Sequence, residues 1–378
     1  MRKIMTIVGT RPELIKMSRV IATLDECFEH ILVHTGQNYD YQLNQVFFDE
    51  LGLREPDYFL NAAGDTAIDT IANVLKLADD VLEKEKPEAV LIYGDTNSGL
   101  ACISAKRRKI PIFHMEAGNR SFDARVPEEI NRKIIDHTSD VNMVLTEHAR
   151  RYLLAEGFPA ERIFKVGSHM EEVLEYAKDG FEQSKVLDVL GLESERYFIV
   201  SAHREENVDD PQKLRTLVEA LNRLVEQFDF PVVVSTHPRT RQRLERLEDL
   251  TISPRVQYLP PFGFFDYIRL QREAFVVISD SGTIAEEGAL LNLPAVTIRD
   301  AHERPEGQDA GAVVVVSRIS ADAIVDAVNV VRATYAKGPT NLGRVPDYEG
   351  GRVSAKVARI VSGYIDFVNR TVWSKPTP

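Results

Sequence analysis

Short apolar runs recur along the chain and alternate with stretches in which apolar residues fall three and four apart. Residues 4–8, 31–34, 89–93, 110–114, 141–145 and 163–166 are runs of this kind and read as strands. Between them, the segment 70–86 places Ile71, Val74, Leu75, Ala78, Val81 and Leu82 on one helical face and is closed by Pro87. Helices are also expected over 128–138 and 147–156. A first helix follows Thr10-Arg11, with Pro12 at an early position where its missing N–H costs nothing.

The stretch 168–195 is polar and helical without clear strand character, and the alternation restarts at 197–201. Strands follow at 231–236, 256–259, 275–279, 295–298 and 313–316. Leu214, Leu217, Leu221, Leu224 and Phe228 form a helical stripe, and further helices are expected over 264–272 and 284–291. A helix over 320–337 is capped by Ser320 and stopped by Gly338; the last, over 354–369, follows a Gly/Pro/Asp-rich connector at 343–351. Strands alternating with helices twice over predict two doubly wound, Rossmann-like α/β domains facing a cleft. The expected division is 1–167, then 168–353, then a C-terminal helix over 354–378. A length of 378 residues is comfortable for two domains, since one domain usually takes about 100–200 residues.

Composition narrows the function. A hydrophobic content of 44% with 28% charged residues is ordinary for a globular enzyme. The net charge of −12 argues against a nucleic-acid surface while leaving room for a local basic pocket that takes a small anion. Cys27 and Cys102 fit no metal spacing and read as small buried hydrophobes in a reducing compartment. No apolar run approaches the ~20 residues of a membrane helix, and Met1-Arg2-Lys3 leads only into a short strand-like run. The expected location is the cytosol.

Open α/β sheets hold ligands at the carboxyl ends of their strands, and polar clusters follow the strands here. The first is Gly9-Thr10-Arg11-Pro12-Glu13 with Lys16 one turn further, two cations after the first strand. Asp95 follows another strand in Gly94-Asp95-Thr96, where a helix cap is the alternative reading. His114-Met115-Glu116 ends a strand, and Pro127-Glu128-Glu129 opens a helix near Arg120, Arg125 and Arg132, so two acidic sites are brought to one neighbourhood. Ser201-Ala202-His203 ends the first strand of the second half in a histidine able to act as acid, base or phosphate donor. Asp280-Ser281-Gly282-Thr283 joins a strand to a helix start that favours an anion or is simply capped by Ser281 or Thr283, with Glu286-Glu287 on the first turn. His237-Pro238 and the segment from Arg299 to Glu306 also follow strands. Neither a GxGxxG fingerprint nor a Walker loop occurs, and no Cys/His set has metal spacing, so no cofactor and no metal is expected.

Taken in order, Gly9-Thr10-Arg11-Pro12-Glu13, Gly94-Asp95-Thr96, His114-Met115-Glu116-Ala117-Gly118, Pro127-Glu128-Glu129 with Asn131-Arg132, Ser201-Ala202-His203-Arg204, Asp280-Ser281-Gly282 and the segment 299–306 resemble the non-hydrolysing UDP-N-acetylglucosamine 2-epimerase family. The resemblance implies a glycosyltransferase-B-like pair of Rossmann-like domains, with the last helix crossing back onto the first. It implies elimination of UDP from a UDP-sugar to a 2-acetamidoglycal, then re-addition with C2 inverted. On its positions fall Asp95, Glu116, Glu128 and His203 as catalytic residues, without saying which carboxylate serves which face. Arg11, Lys16, His203 and the Ser281-Gly282 turn, with Thr283 and Arg299, fall on UDP-binding positions, and Glu286 on the ribose.

Within the family, Asn119-Arg120-Ser121-Phe122-Asp123, Thr35-Gly36-Gln37-Asn38-Tyr39-Asp40-Tyr41 and the closing stretch 364–370 are most similar to the branch that forms UDP-N-acetyl-L-fucosamine for capsule or O-antigen polysaccharide. Bacterial UDP-N-acetylglucosamine epimerases often carry an activating site. Here Gln37 matches it, but Asp40 and Asn73 do not, which favours the deoxy-sugar branch. Thr283 stands where the second glycine of Asp-Ser-Gly-Gly is usual, its hydroxyl expected to compensate on the phosphate. The alternatives are a UDP-N-acetylglucosamine 2-epimerase and a glycosyltransferase of the same fold. The expected partners are a UDP-sugar and a second copy of the chain, with no nucleic acid and no membrane.

Overall fold

The structure, a computed structural model, describes residues 1–36, 48, 50–247, 250–299, 304–335 and 343–375. Gln37, Asp40 and the stretch 300–303 lie outside the described residues. The chain divides into two compact units, Met1–Ala177 with Asp347–Pro378, and Lys178–Pro346.

In the first unit, β1 (Lys3–Val8), β2 (Glu29–His34), β3 (Tyr58–Phe59), β4 (Ala89–Tyr93), β5 (Ile112–Met115), β6 (Val141–Val144) and β7 (Ile163–Lys165) form one sheet in the order β3-β2-β1-β4-β5-β6-β7. Every pairing is parallel. Parallel strands need crossovers, and these lay helices on both faces, so β4 is buried along its whole length. Alternate residues sort to opposite cores. Met5, Ile7, Val90, Ile92 and Ile112 pack with Val74, Ala78 and Leu82 of the helix Ala67–Glu85. Ile4, Val8, Leu91, Tyr93, Phe113 and Met115 pack with Leu14, Met17, Ile21 and Leu24 of the helix Arg11–Cys27. That second core is completed from far along the chain: Val357, Val361, Ile365 and Val368 of the final helix, Val353–Thr371, lie in it. Their spacing of three and four makes one continuous stripe, and it carries the last helix back onto the first unit.

The second unit repeats the plan with β8 (Phe198–Ser201), β9 (Val232–Ser235), β10 (Val256–Leu259), β11 (Val276–Ser279), β12 (Ala295–Thr297) and β13 (Val314–Val315), in the order β10-β9-β8-β11-β12-β13. In both sheets the order reverses direction at the first strand of the unit. β1 stands between β2 and β4, and β8 between β9 and β11. Neighbouring loops there leave on opposite faces, and the carboxyl ends of those strands border a crevice in which α/β sheets hold ligands.

One expectation fails. Cys102 is buried and free, its thiol pushed up to about 12 by burial, but Cys27 is exposed. The helix Arg11–Cys27 ends at Cys27, and Phe28, already extended, takes the next buried position instead. No helix among the described residues is long and apolar enough to cross a membrane.

Ile365 is fully buried in the stripe that ties the last helix to the first. Ile365→Ala is expected to lower the stability of this unit by about 2–4 kcal/mol, read as a lower urea midpoint with an unchanged slope.

Candidate active site

The turn after β1 is built by a reciprocal cap. Thr10 caps the helix Arg11–Cys27, and the Glu13 carboxylate accepts the N–H groups of Gly9 (2.6 Å) and Thr10 (3.3 Å). Its other oxygen accepts the Thr96 hydroxyl at 2.6 Å, so Glu13 ties the turn after β1 to the turn after β4. A Cβ on Gly9 would come within 2.2 Å of Thr35 Oγ1, itself hydrogen-bonded to Ser98, so only glycine fits where these segments meet. Burial pushes the Glu13 carboxyl up to about 7. The Asp95 charge adds to the shift, while hydrogen bonds from Thr96, Gly9 and Thr10 pull the other way.

Next to this turn stand the two strand-end carboxylates. Glu116 Oε2 lies 2.8 Å from Lys16 Nζ, with both side chains largely buried, and the same oxygen accepts the phenol of Tyr93, the last residue of β4. His169 Nε2 is 3.0 Å from the Tyr93 oxygen. Asp95 Oδ2 receives Arg132 Nε at 3.1 Å and Nη2 at 2.5 Å, a forked contact that an ammonium cannot make. The Arg132 guanidinium also reaches Glu129 at 3.1 Å.

Glu116 has φ +61, a left-handed conformation unusual outside glycine, and a buried network holds the turn that contains it. His114 Nδ1 meets Asp136 at 2.9 Å and its Nε2 meets the Gly94 carbonyl at 2.8 Å. Asp136 also accepts the Gly118 N–H and Arg120 Nη1 (2.7 Å), while Arg120 forks onto Glu156. Gly118, at φ +80, lies where a Cβ would come within 2.6 Å of the Ala149 carbonyl. Burial alone would raise the Asp136 carboxyl; the His114 hydrogen bond and the nearby Arg120 charge hold it below its ordinary value instead.

The two neighbouring glutamates of the helix Pro127–Thr138 part company. Glu129 is buried and accepts the N–H groups of Ser121 (2.9 Å) and Phe122 (3.3 Å), so it shapes the loop before the helix. Glu128, on the same first turn, is half-buried and has no hydrogen bond or ion pair among the described residues.

In the second unit Asp280, wholly buried at the end of β11, accepts the N–H groups of His203 (3.0 Å) and Arg204 (2.9 Å) and the Asn207 amide (3.1 Å). It fixes the loop after β8 and leaves the His203 ring nearly half exposed, with Nδ1 3.4 Å from Asp280. The Ser281 hydroxyl accepts the Thr283 N–H at 3.3 Å and meets the Thr283 hydroxyl at 2.9 Å. Thr283 in turn donates to Glu287 at 2.6 Å, and Gln271 holds the other Glu287 oxygen at 2.7 Å. The Thr283 hydroxyl expected on a phosphate is therefore spent on the helix behind it. Glu286 is fully enclosed and pairs with Arg304 at 3.0 Å, while Arg299 is buried at the end of β12. His237 is a cap, accepting the Arg239 N–H at 3.3 Å.

Within the first unit, Lys16, Asp95 and Glu116 are brought together, with Arg11 half-buried at the head of the helix that carries Lys16. Within the second, His203, Ser281, Gly282 and Thr283 meet around Asp280. Tyr93 and His169 were missed: Tyr93 reads as the last residue of a buried strand, and His169 falls in the polar helical stretch 168–195. The one available signal was that Tyr93 directly precedes Gly94-Asp95. Among the described residues no group of three or more His, Cys, Asp and Glu is arranged to hold a metal ion.

Comparison with known proteins bears on the family and the fold. The chain matches the family described as UDP-N-acetylglucosamine 2-epimerase over residues 22–362. It is 38% identical over 367 residues to the UDP-2,3-diacetamido-2,3-dideoxy-D-glucuronate 2-epimerase of Pseudomonas aeruginosa, with 95% of this chain and 99% of that one covered. The structure of UDP-N-acetylglucosamine 2-epimerase from Rickettsia bellii is similar at 56% identity and a TM-score of 0.93, covering 99% of this chain and 100% of that one. That of the Methanocaldococcus jannaschii UDP-GlcNAc 2-epimerase in complex with UDP-GlcNAc and UDP is similar at 32% identity and a TM-score of 0.87, covering 96% and 99%.

The buried Glu13 carboxyl gives this fold a pH signature. Its folded pKa of about 7 lies above the ordinary 4.5, so the native state keeps a proton that the unfolded chain releases first. The stability it contributes is complete below about pH 4.5 and is lost as pH rises toward 7. Glu13→Gln is expected to flatten that decline, so that unfolding free energies from urea titrations at about pH 5 and about pH 8 differ less than in the parent protein.

Proposed function

We propose a substrate and a set of proton-transfer residues for this chain from the premise that it belongs to the UDP-N-acetylglucosamine 2-epimerase family. Its activity is that of a UDP-sugar 2-epimerase, an isomerase that does not hydrolyse its substrate. The observation that carries the chemical reading is the pair Asp95 and Glu116, at the ends of adjacent parallel strands and each held against a cation.

The C2 proton of an acetamido sugar is not next to a carbonyl carbon, so direct removal would be very slow. In the proposed route a base takes that proton, the C1–O bond to the β-phosphate breaks, and a C1=C2 double bond forms. The products are a 2-acetamidoglycal and UDP. The UDP oxygen then returns to C1 while C2 takes a proton on its other face, so atoms balance and no redox cofactor is required. A base, a proton donor on the opposite face and cations for the departing diphosphate are needed. Asp95, Glu116 and Glu128 of the first unit and His203 of the second are the proposed catalytic residues. Arg11, Lys16, His203, Ser281, Gly282 and Arg299 are proposed to hold UDP, with Glu286 on the ribose, while Thr283 braces the turn through Glu287. Lys16 has a second part, since it neutralises Glu116 directly.

For the sugar, we propose UDP-2-acetamido-2,6-dideoxy-L-talose, converted to UDP-N-acetyl-L-fucosamine for surface polysaccharide. The support is the Asn119-Arg120-Ser121-Phe122-Asp123 signature, together with Asn73 at a position where an activating site would use an arginine. Asn73 donates its amide to the Ala62 carbonyl at 3.3 Å and carries no charge for a second nucleotide sugar. The second reading, UDP-N-acetylglucosamine, is favoured by the substrate named for the Rickettsia and Methanocaldococcus proteins. Homodimerisation is proposed as well, with Ile103, Ile130 and Ile134 exposed on touching helices, and light scattering on the eluted protein tests it.

NMR of each UDP-sugar in deuterated buffer decides between the two substrates. The expected outcome is C2 deuteration and inversion of the 6-deoxy-L-talo compound; turnover of UDP-N-acetylglucosamine alone overturns the assignment. Glu116→Gln and Glu128→Gln are each expected to abolish C2 exchange while UDP binding persists. Normal exchange in either variant removes that residue from the mechanism.

A further inference from the structure

We infer that Tyr93 and His169 are positioning residues for Glu116, a donor chain that fixes the rotamer and protonation of this carboxylate; the inference rests on the assignment of Glu116 to C2 proton transfer. Two donors from different elements converge on Glu116 Oε2: the Lys16 ammonium from the helix Arg11–Cys27, at 2.8 Å, and the Tyr93 phenol from β4. Phenol has one proton, and here it is given to Glu116. Its oxygen is then left as an acceptor, and the group facing it at 3.0 Å is His169 Nε2, which must carry a proton in this arrangement. The chain runs His169 N–H to Tyr93 O–H to Glu116, and each bond polarises the next in a dry interior.

The geometry leaves the phenol little freedom. The His169 ring meets the Tyr93 ring edge-on, with centroids 5.1 Å apart at 81°, and Lys16 Nζ lies 5.6 Å from the centre of the Tyr93 ring. Tyr93, His169 and Lys16 are all buried, so water does not compete for these bonds. The Glu116 backbone is held left-handed, and the contacts at its carboxylate set where the side chain points. Charged groups around it among the described residues include Lys16 from the first helix, Asp95 with Arg132 in the turn after β4, Glu13 behind that turn, and the Asp136 network under Gly118.

The test is Tyr93→Phe in the full chain, assayed with whichever of the two UDP-sugars the parent protein turns over. Loss of the phenol donor is expected to lower kcat by about 10- to 100-fold, with KM within about 3-fold. The acidic limb of the kcat/KM profile is expected to move to higher pH, because a donor to the charged form of the carboxylate is gone. His169→Gln, which keeps an N–H donor, is expected to retain more activity than His169→Leu. Parental kcat and pH profile in Tyr93→Phe would overturn the inference, and so would loss of UDP binding along with activity, which marks a purely structural role. Equal activity of the two His169 variants would remove His169 from it. Glu116→Gln separates the two levels: an active Glu116→Gln refutes the role of Glu116 itself. An inactive one beside a parental Tyr93→Phe refutes only the positioning chain.

Discussion

The turns at the carboxyl edge of the first sheet depend on one buried carboxylate. Asp136, in the last turn of the helix Pro127–Thr138, binds the imidazole of His114, the backbone of Gly118 and the guanidinium of Arg120. Through His114 it reaches the Gly94 carbonyl, the residue before Asp95. The same network therefore brackets both strand-end carboxylates, one by a hydrogen bond to the residue preceding it and the other by holding His114 and Gly118 on either side. A charge so far from water persists only when it is fully paired, and loss of one partner from such a site costs about 3–5 kcal/mol. That cost makes the turns rigid without any covalent link.

The second unit solves the same problem in the same way. Asp280 is wholly buried and accepts the backbone of His203 and Arg204 together with the Asn207 amide. It presents the His203 ring to solvent while its own charge is absorbed by backbone N–H groups. Each parallel sheet thus spends one interior aspartate on the loops at the carboxyl ends of its strands. The proposed catalytic groups stand beside these anchors in space: Asp95 and Glu116 in one unit, His203 in the other. The acidic chain also keeps its cations where they are needed, since Lys16 and Arg132 are both buried against carboxylates rather than dispersed over the surface.

The alternation of strands and helices was readable because parallel strands buried on both faces must be short, continuous apolar runs. The strand that was missed, Tyr58–Phe59, is two residues long and has no such run. Among the site residues, Glu128 and Glu129 are adjacent and chemically identical, and only the fold separates them. One turns inward to bind the Ser121 and Phe122 amides, and the other has no partner among the described residues. Thr283 and Glu286 show the reverse, for groups that look poised toward a ligand in the sequence are engaged with Glu287 and Arg304 in the structure. Tyr93 looked like core, and it is core, but its hydroxyl ends on Glu116.

By itself, the sequence determined the two α/β units, the order of their elements and the motifs at the strand ends. These depend on periodicity and on local chemistry within a few residues. Tertiary structure decided which of those polar groups are partners. The ion pair between Lys16 and Glu116 joins residues a hundred positions apart, and the contact of His169 with Tyr93 joins residues seventy-six apart. Such pairings follow from strand order, which places β4 beside both β1 and β5 and so collects their carboxyl ends in one place. Chain separation carries no record of that adjacency, because the crossovers that create it are packed by apolar faces that say nothing about the polar ends.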